Sequence, residues 1–184
     1  MLWMLGTILR TQRVNDSRIH DAGSQTTLPI TELNDLKTSS PVPGTYALVL
    51  ESRTETAVQV GRCGTLLVQP GFFVYVGSAL GPGGLCARLN HHLRRAVRPH
   101  WHIDYLRREA MLAAVWYRCG RLRREHVWAR FLKSMTDSSV PLPGFGSSDC
   151  KCASHLFYFP TLPTLQVLGA NVLHTGDLIG KGTS

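Results

Sequence analysis

The 184-residue chain is poor in several features that would place it in a broad class of proteins. Its longest apolar stretch, residues 1–9, is about half of what a bilayer span requires, and no cationic segment precedes it as in a secretory leader. Membrane insertion and export are therefore not expected. Cysteine is sparse and odd in number: Cys63, Cys86, Cys119, Cys150 and Cys152 stand at irregular intervals, which argues against a disulfide framework and for a reducing, intracellular compartment. Organelle import stays open, with Arg10, Arg13 and Arg18 in favour and Asp16 and Asp21 against. No internal repeat is visible. With 43% apolar residues, 17 glycines and 10 prolines, the composition is neither collagenous nor disordered and suits one domain with tails.

Acid is scarce too, and its shortage is local. The formal net charge is +8, yet residues 88–133 hold 12 basic residues against Asp104, Glu109 and Glu125, a balance of +9 that leaves the rest of the chain at −1. Eleven of those 12 are arginines, whose planar fork binds two phosphate oxygens at once. His91, His92, His100, His102 and His126 fall in the same window, interleaved with Trp101, Tyr105, Trp116, Tyr117 and Trp128. Such a segment reads as a polyanion-facing surface, although solvated helix faces give a similar pattern. RNA, DNA and an anionic membrane surface look alike at this level.

Residues 1–40 read as a weakly ordered extension, residues 41–160 as the folded domain and residues 161–184 as a tail with no assigned role. Strands are expected at 46–50, 57–60, 65–68, 72–76, 111–117 and 155–159, punctuated by glycine and proline. Helices are expected after Gly84, where Leu85, Leu89, His92, Leu93 and Ala96 share a stripe, over 101–108, and over 122–135 with Trp128, Phe131, Leu132 and Met135 on one face. This order makes a mixed α/β sandwich of the α+β type and not an alternating parallel fold.

Strand alternation groups Tyr46 with Leu48 and Leu50, and Phe73 with Tyr75, so two tyrosines sit on strands that can pair. On spacing alone they are half-buried core residues with hydroxyls at the surface. The glycine-rich bend after Ser78 then opens a helix whose backbone amides and dipole favour a phosphate. Ser78, Gly83 and Gly84 at that bend, with Arg94 and Arg95 further along, are the candidate phosphate contacts. Arg88 and His92 lie one helical turn apart, bringing a cation and a titratable ring near the sheet. Glu125, on the edge of the third helix's apolar stripe, needs a partner: Arg121, Arg123 or Arg124 in an ion pair, or a divalent cation.

These residues resemble the GIY-YIG nucleases. Gly44-Thr45-Tyr46, the later Tyr75-Val76-Gly77, Arg88 with His92, and a glutamate on a later helix match in order. The chain is most similar to the DUF123, or Uri-type endonuclease, branch, through Phe73-Val74-Tyr75-Val76-Gly77-Ser78-Ala79, Trp101-His102-Ile103-Asp104-Tyr105-Leu106, and the block from Gly144 to His155. Thr45 stands where isoleucine is usual. The resemblance implies a small, mainly antiparallel sheet flanked by helices and a metal-dependent endonuclease acting on DNA or RNA. It gives Tyr46 the task of orienting or deprotonating water, Tyr75 and Arg88 supporting tasks, and Glu125 a single Mg²⁺ or Mn²⁺, with Asp104 as alternative ligand. A phenol with a pKa of about 10 needs a nearby cation to act as a base, and His92 is an alternative base.

Cys150, Cys152 and His155 supply two thiols and an imidazole within six residues, three quarters of a zinc site, with Cys119 or Asp149 as a fourth ligand if the fold allows. Two further functions therefore stand beside the nuclease: a catalytically degenerate nucleic-acid-binding module and a zinc-stabilised interaction domain.

Overall fold

Strand β1 (Gly44–Ser52) is apolar along almost its whole length because layers cover it on both faces. In the computed structural model, which describes residues 41–94, 98–164 and 169–174, it is the middle of a five-stranded sheet. The other elements are β2 (Thr56–Val60), β3 (Gly64–Val68), β4 (Gly71–Ala79), α1 (Gly84–Leu93), α2 (His102–Leu106), β5 (Met111–Cys119), α3 (Glu125–Ser134), β6 (Leu156–Phe159) and β7 (Asn171–His174). The sheet order is β6-β4-β1-β5-β7, antiparallel throughout, and β2 and β3 form a separate hairpin. The α+β architecture expected from the sequence is thus present.

Strand alternation sorts the core into two layers. On one face Tyr46, Leu48, Leu50 and Phe73 pack with Leu85 and Leu89 of α1, Ile103 and Leu106 of α2, and the hairpin's Val60, Leu66 and Val68. On the other, Ala47, Val49, Val74 and Val76 meet Trp128, Ala129 and Leu132 of α3 together with Phe157 and Phe159. Each fully buried aliphatic or aromatic side chain contributes about 1.5–3 kcal/mol, so these two layers are what holds α1 and α3 to opposite faces.

Two differences from the sequence-based expectation have clear causes. The third helix starts at Glu125, not at 122: Gly120 has φ of 125°, Leu122 points to solvent, and the amide of Arg124 donates to the Thr45 hydroxyl at 3.3 Å. Thr45 of β1 thereby pins the helix start, a contact isoleucine could not make. The second difference is β7, which pairs with β5 through Ala114↔His174 to Tyr117↔Asn171, inside the segment expected to be a tail. Its four residues are too few to show a period. The N-terminal extension, Arg95, Ala96 and most of the tail lie outside the described residues. Among the described residues no helix is long and apolar enough to cross a membrane.

Candidate functional site

Antiparallel pairing of β1 with β4 sets Tyr46 opposite Gly77 and Leu48 opposite Tyr75, so the two phenols lie on one face, diagonal to each other. Gly77 is required there: a Cβ at that position would overlap the Tyr46 ring. Above them α1 runs with His92 buried and Arg88 one turn earlier. The hydroxyl of Tyr46 lies 2.8 Å from His92 Nε2, and the Tyr75 and His92 rings meet edge to face at 6.4 Å. Arg88 lies over the face of Trp101, Cζ 4.6 Å from the ring centre, a cation–π contact that holds the guanidinium without neutralising it.

These groups open into one cavity of about 490 Å³, whose lining includes Tyr46, Tyr75, Ser78, Arg88, Arg123 and Glu125. Four of the expected site residues, Tyr46, Tyr75, Arg88 and Glu125, spread over eighty positions of sequence, thus share one cavity, whereas His92 does not line it and reaches it through its contact with Tyr46. Glu125 opens the first turn of α3, where a carboxylate suits the helix dipole, and only 5% of its surface is exposed. The expected pairing with Arg121, Arg123 or Arg124 is absent among the described residues; its neighbour is His126, with Nε2 3.7 Å from Oε1. Its other oxygen, Oε2, is buried and has no hydrogen-bond partner among the described residues.

Burial dominates the electrostatics. It raises the Tyr46 phenol well above the usual tyrosine range, reinforced by Tyr75 and opposed by Arg88. Tyr75 is pushed up to about 12 by burial, again against Arg88. Burial also lowers His92 to about 3, with His91 acting in the same direction, so its ring is neutral at physiological pH and offers one donor and one acceptor. Its Nδ1 has no partner among the described residues.

Several candidates take other positions. One part of the phosphate site expected at the start of α1 does not hold: the amides of Gly84 and Leu85 donate to the carbonyls of Gly81 and Val42, at 3.1 and 2.8 Å, and are not free for an anion, whereas Ser78 does line the main cavity. A Cβ on Gly84, whose φ is 56°, would overlap the Val42 carbonyl, so the glycines serve close packing of the chain onto the helix. Arg94 is exposed at a separate, smaller cavity with Ala87, Asn90 and His91, and Arg95 lies outside the described residues. Asp104 accepts hydrogen bonds from the His100 and Trp101 amides at 3.0 and 2.9 Å and faces His91 Nε2 at 3.2 Å. Although burial opposes it, these contacts hold its carboxyl below the ordinary value. It anchors α2 and is not on the wall of the main cavity.

Two groups of side chains are close enough to hold a metal ion: His91, His92 and Asp104, and His126, Cys150, Cys152 and His155. The fourth member of the second group is neither Cys119, which packs against the core, nor Asp149, but His126. Sequence reasoning counted His126 only as part of the basic window; its position next to Glu125, at a helix start facing the sheet, was the usable signal. Trp101, the shelf for Arg88, was likewise seen only as one of the interleaved aromatics.

Fold and site together define a small α+β protein with a tyrosine-, arginine- and glutamate-lined cavity. The chain belongs to the family described as Domain of unknown function DUF123, whose model matches residues 45–175. That span includes β7, so the family's domain runs past the boundary expected at 160. Neither a curated protein nor a solved structure matches the chain.

Proposed function

We propose that the protein is a GIY-YIG-type endonuclease that hydrolyses phosphodiester bonds in DNA with one Mg²⁺ or Mn²⁺. The observation that carries this reading is the buried Glu125 carboxylate, which lines the same cavity as both tyrosines and Arg88 and whose buried Oε2 has no hydrogen-bond partner among the described residues. A buried carboxylate oxygen without a partner costs several kcal/mol unless a cation meets it, and hard oxygen donors suit Mg²⁺ or Mn²⁺. Bound there, the ion would supply Lewis-acid stabilisation of the leaving oxygen. Cys150, Cys152 and His155 offer softer donors that suit Zn²⁺, and Cys150 and His155 line the same cavity.

The protein's own groups divide the remaining work. Arg88, held on Trp101 and paired with no carboxylate among the described residues, faces the non-bridging phosphate oxygens and offsets the charge that builds there. Tyr46 is a neutral phenol and a poor base unaided, but it is coupled to a neutral imidazole that can accept its proton. As Tyr46 Oη takes the proton of the attacking water, its own proton passes to His92 Nε2. The negative charge of the phosphate opposes the depression of His92 and favours that transfer. Tyr75 packs edge to face on His92 and on Phe145, and orients the imidazole. The basic window, which contributes Arg88 and Arg123 to the cavity, suits a polyanion substrate.

Incubation with supercoiled plasmid and with branched duplex DNA tests this. Cleavage is expected with Mg²⁺ or Mn²⁺, and Glu125→Gln, Arg88→Ala and Tyr46→Phe are each expected to lower its rate about 10²-fold or more while binding persists. Binding that falls steeply with salt but produces no metal-dependent cleavage on either DNA or RNA would leave only a nucleic-acid-binding module.

A further inference from the structure

We infer that His126, Cys150, Cys152 and His155 form a tetrahedral zinc centre, and that through His126 this centre orients the carboxylate of Glu125. The four donor atoms all lie within 4.8 Å of one another. Cys150 Sγ is 3.5 Å from His155 Nε2, and Cys152 Sγ is 3.4 Å from His126 Nδ1. A tetrahedral Zn²⁺, with bonds of about 2.3 Å to sulfur and about 2.0–2.1 Å to nitrogen, sets sulfur and nitrogen ligands about 3.5 Å apart. The sulfurs are free thiols, not a disulfide. Two isolated thiol–imidazole hydrogen bonds would have no reason to converge on a common centre.

The ligands come from three places: the first turn of α3, the loop before β6, and the residue that enters β6. That loop, residues 141–155, has no helix or strand of its own and is tied down by a few backbone bonds, among them Gly144 to Ala153 and His155 to Phe145. A metal there would fasten the Cys150–Cys152 end of the loop to the start of α3.

The link to Glu125 follows from the chemistry of imidazole. With Nδ1 of His126 bound to zinc, the remaining ring proton must sit on Nε2, the atom that faces Glu125 Oε1 at 3.7 Å. The Nε2–H then attracts Oε1 and leaves Oε2, which has no hydrogen-bond partner among the described residues, as the free oxygen of the carboxylate. The zinc centre stands whether or not the protein cuts nucleic acid; only the use made of Glu125 rests on the nuclease reading. His126 acts here as a positioning residue.

The test is made on the full chain without nucleic acid, so its failure is distinct from failure to cleave. Elemental analysis is expected to find about one zinc per chain. Replacement by Co²⁺ should give the visible bands of a tetrahedral ion with thiolate charge transfer. Cys152→Ser and His126→Ala should lose the metal, Cys119→Ser should keep it, and His126→Cys should retain one ion with a spectrum shifted toward three sulfurs, which controls for misfolding. Glu125→Gln should weaken zinc binding about 10–100-fold in competition with a chelator while leaving the Co²⁺ spectrum unchanged. Zinc near zero together with no thiolate charge transfer on Co²⁺ addition overturns the centre. Full zinc in His126→Ala overturns its ligand set, and unchanged affinity in Glu125→Gln overturns the coupling.

Discussion

The two groups of ligand-type side chains near the cavity differ in how their lone pairs are used. In His91, His92 and Asp104, the carboxylate takes up two backbone amides and an imidazole, and His92 Nε2 meets the Tyr46 hydroxyl. In His126, Cys150, Cys152 and His155, the donors chiefly face one another, and thiols make weak hydrogen bonds. Both groups satisfy a distance criterion for a metal, yet in the first the Asp104 oxygens and His92 Nε2 are already engaged, with only the buried His92 Nδ1 lacking a partner among the described residues, while the second would be completed by an ion. Proximity of ligand residues is therefore a weaker sign than unspent lone pairs.

The sharpest way to break this comparison is to remove metal. Dialysis against a strong chelator is expected to cost several kcal/mol of stability through the thiol group and nothing through the aspartate group. A thermal melt of chelated wild type that matches the untreated protein would erase the distinction. Asp104→Ala is next in size: it leaves two amides and an imidazole without their acceptor at a site only 4% exposed, with an expected loss of about 2–3 kcal/mol and no loss of metal. Denaturant unfolding and metal analysis on the same sample check both halves.

The pH dependence sharpens the comparison further. His92 has a folded pKa of about 3 against 6.5 when exposed, so the unfolded chain binds the extra proton between those values. Stability is expected to fall as pH drops from 6.5 toward 3, a slope that denaturant unfolding across that range checks. Asp104, depressed in the fold, adds stability above its unfolded value that is lost as pH falls through the folded one, the same direction at the acid end. His92→Gln is expected to flatten the higher part of that slope. The smallest effect belongs to Tyr46→Phe, which removes one buried hydrogen bond and should cost about 1 kcal/mol with the fold intact. A larger loss would show that the Tyr46–His92 pair is mainly structural.

Much of the scaffold was legible in the chain itself. Glycine and proline marked the strand ends, and alternation grouped Tyr46 with Leu48 and Leu50, and Phe73 with Tyr75, since side-chain direction in a strand has a period of two, but only the register of β1 with β4 put the two tyrosines on one face. Helical spacing likewise put His92 in the buried stripe of α1. The amides at the start of α1 are not free as expected because a free helix terminus and one covered by Val42 have the same local sequence; the cover comes from 43 residues before Leu85. Glu125 was recognisable as a carboxylate in need of a partner, but nearby arginines in sequence were no guide to its neighbour in space.

What the sequence determined by itself is everything governed by short-range periodicity and composition: which segments are strands or helices, which face each side chain takes, and where the positive charge is concentrated. The tertiary structure alone decided which second histidine joins Cys150, Cys152 and His155, which oxygen of Glu125 is left bare, and that Asn171–His174 completes the sheet. Those outcomes depend on how distant segments close on one another, and a ligand set or an orphaned atom exists only once that closure has fixed several groups within a few ångströms.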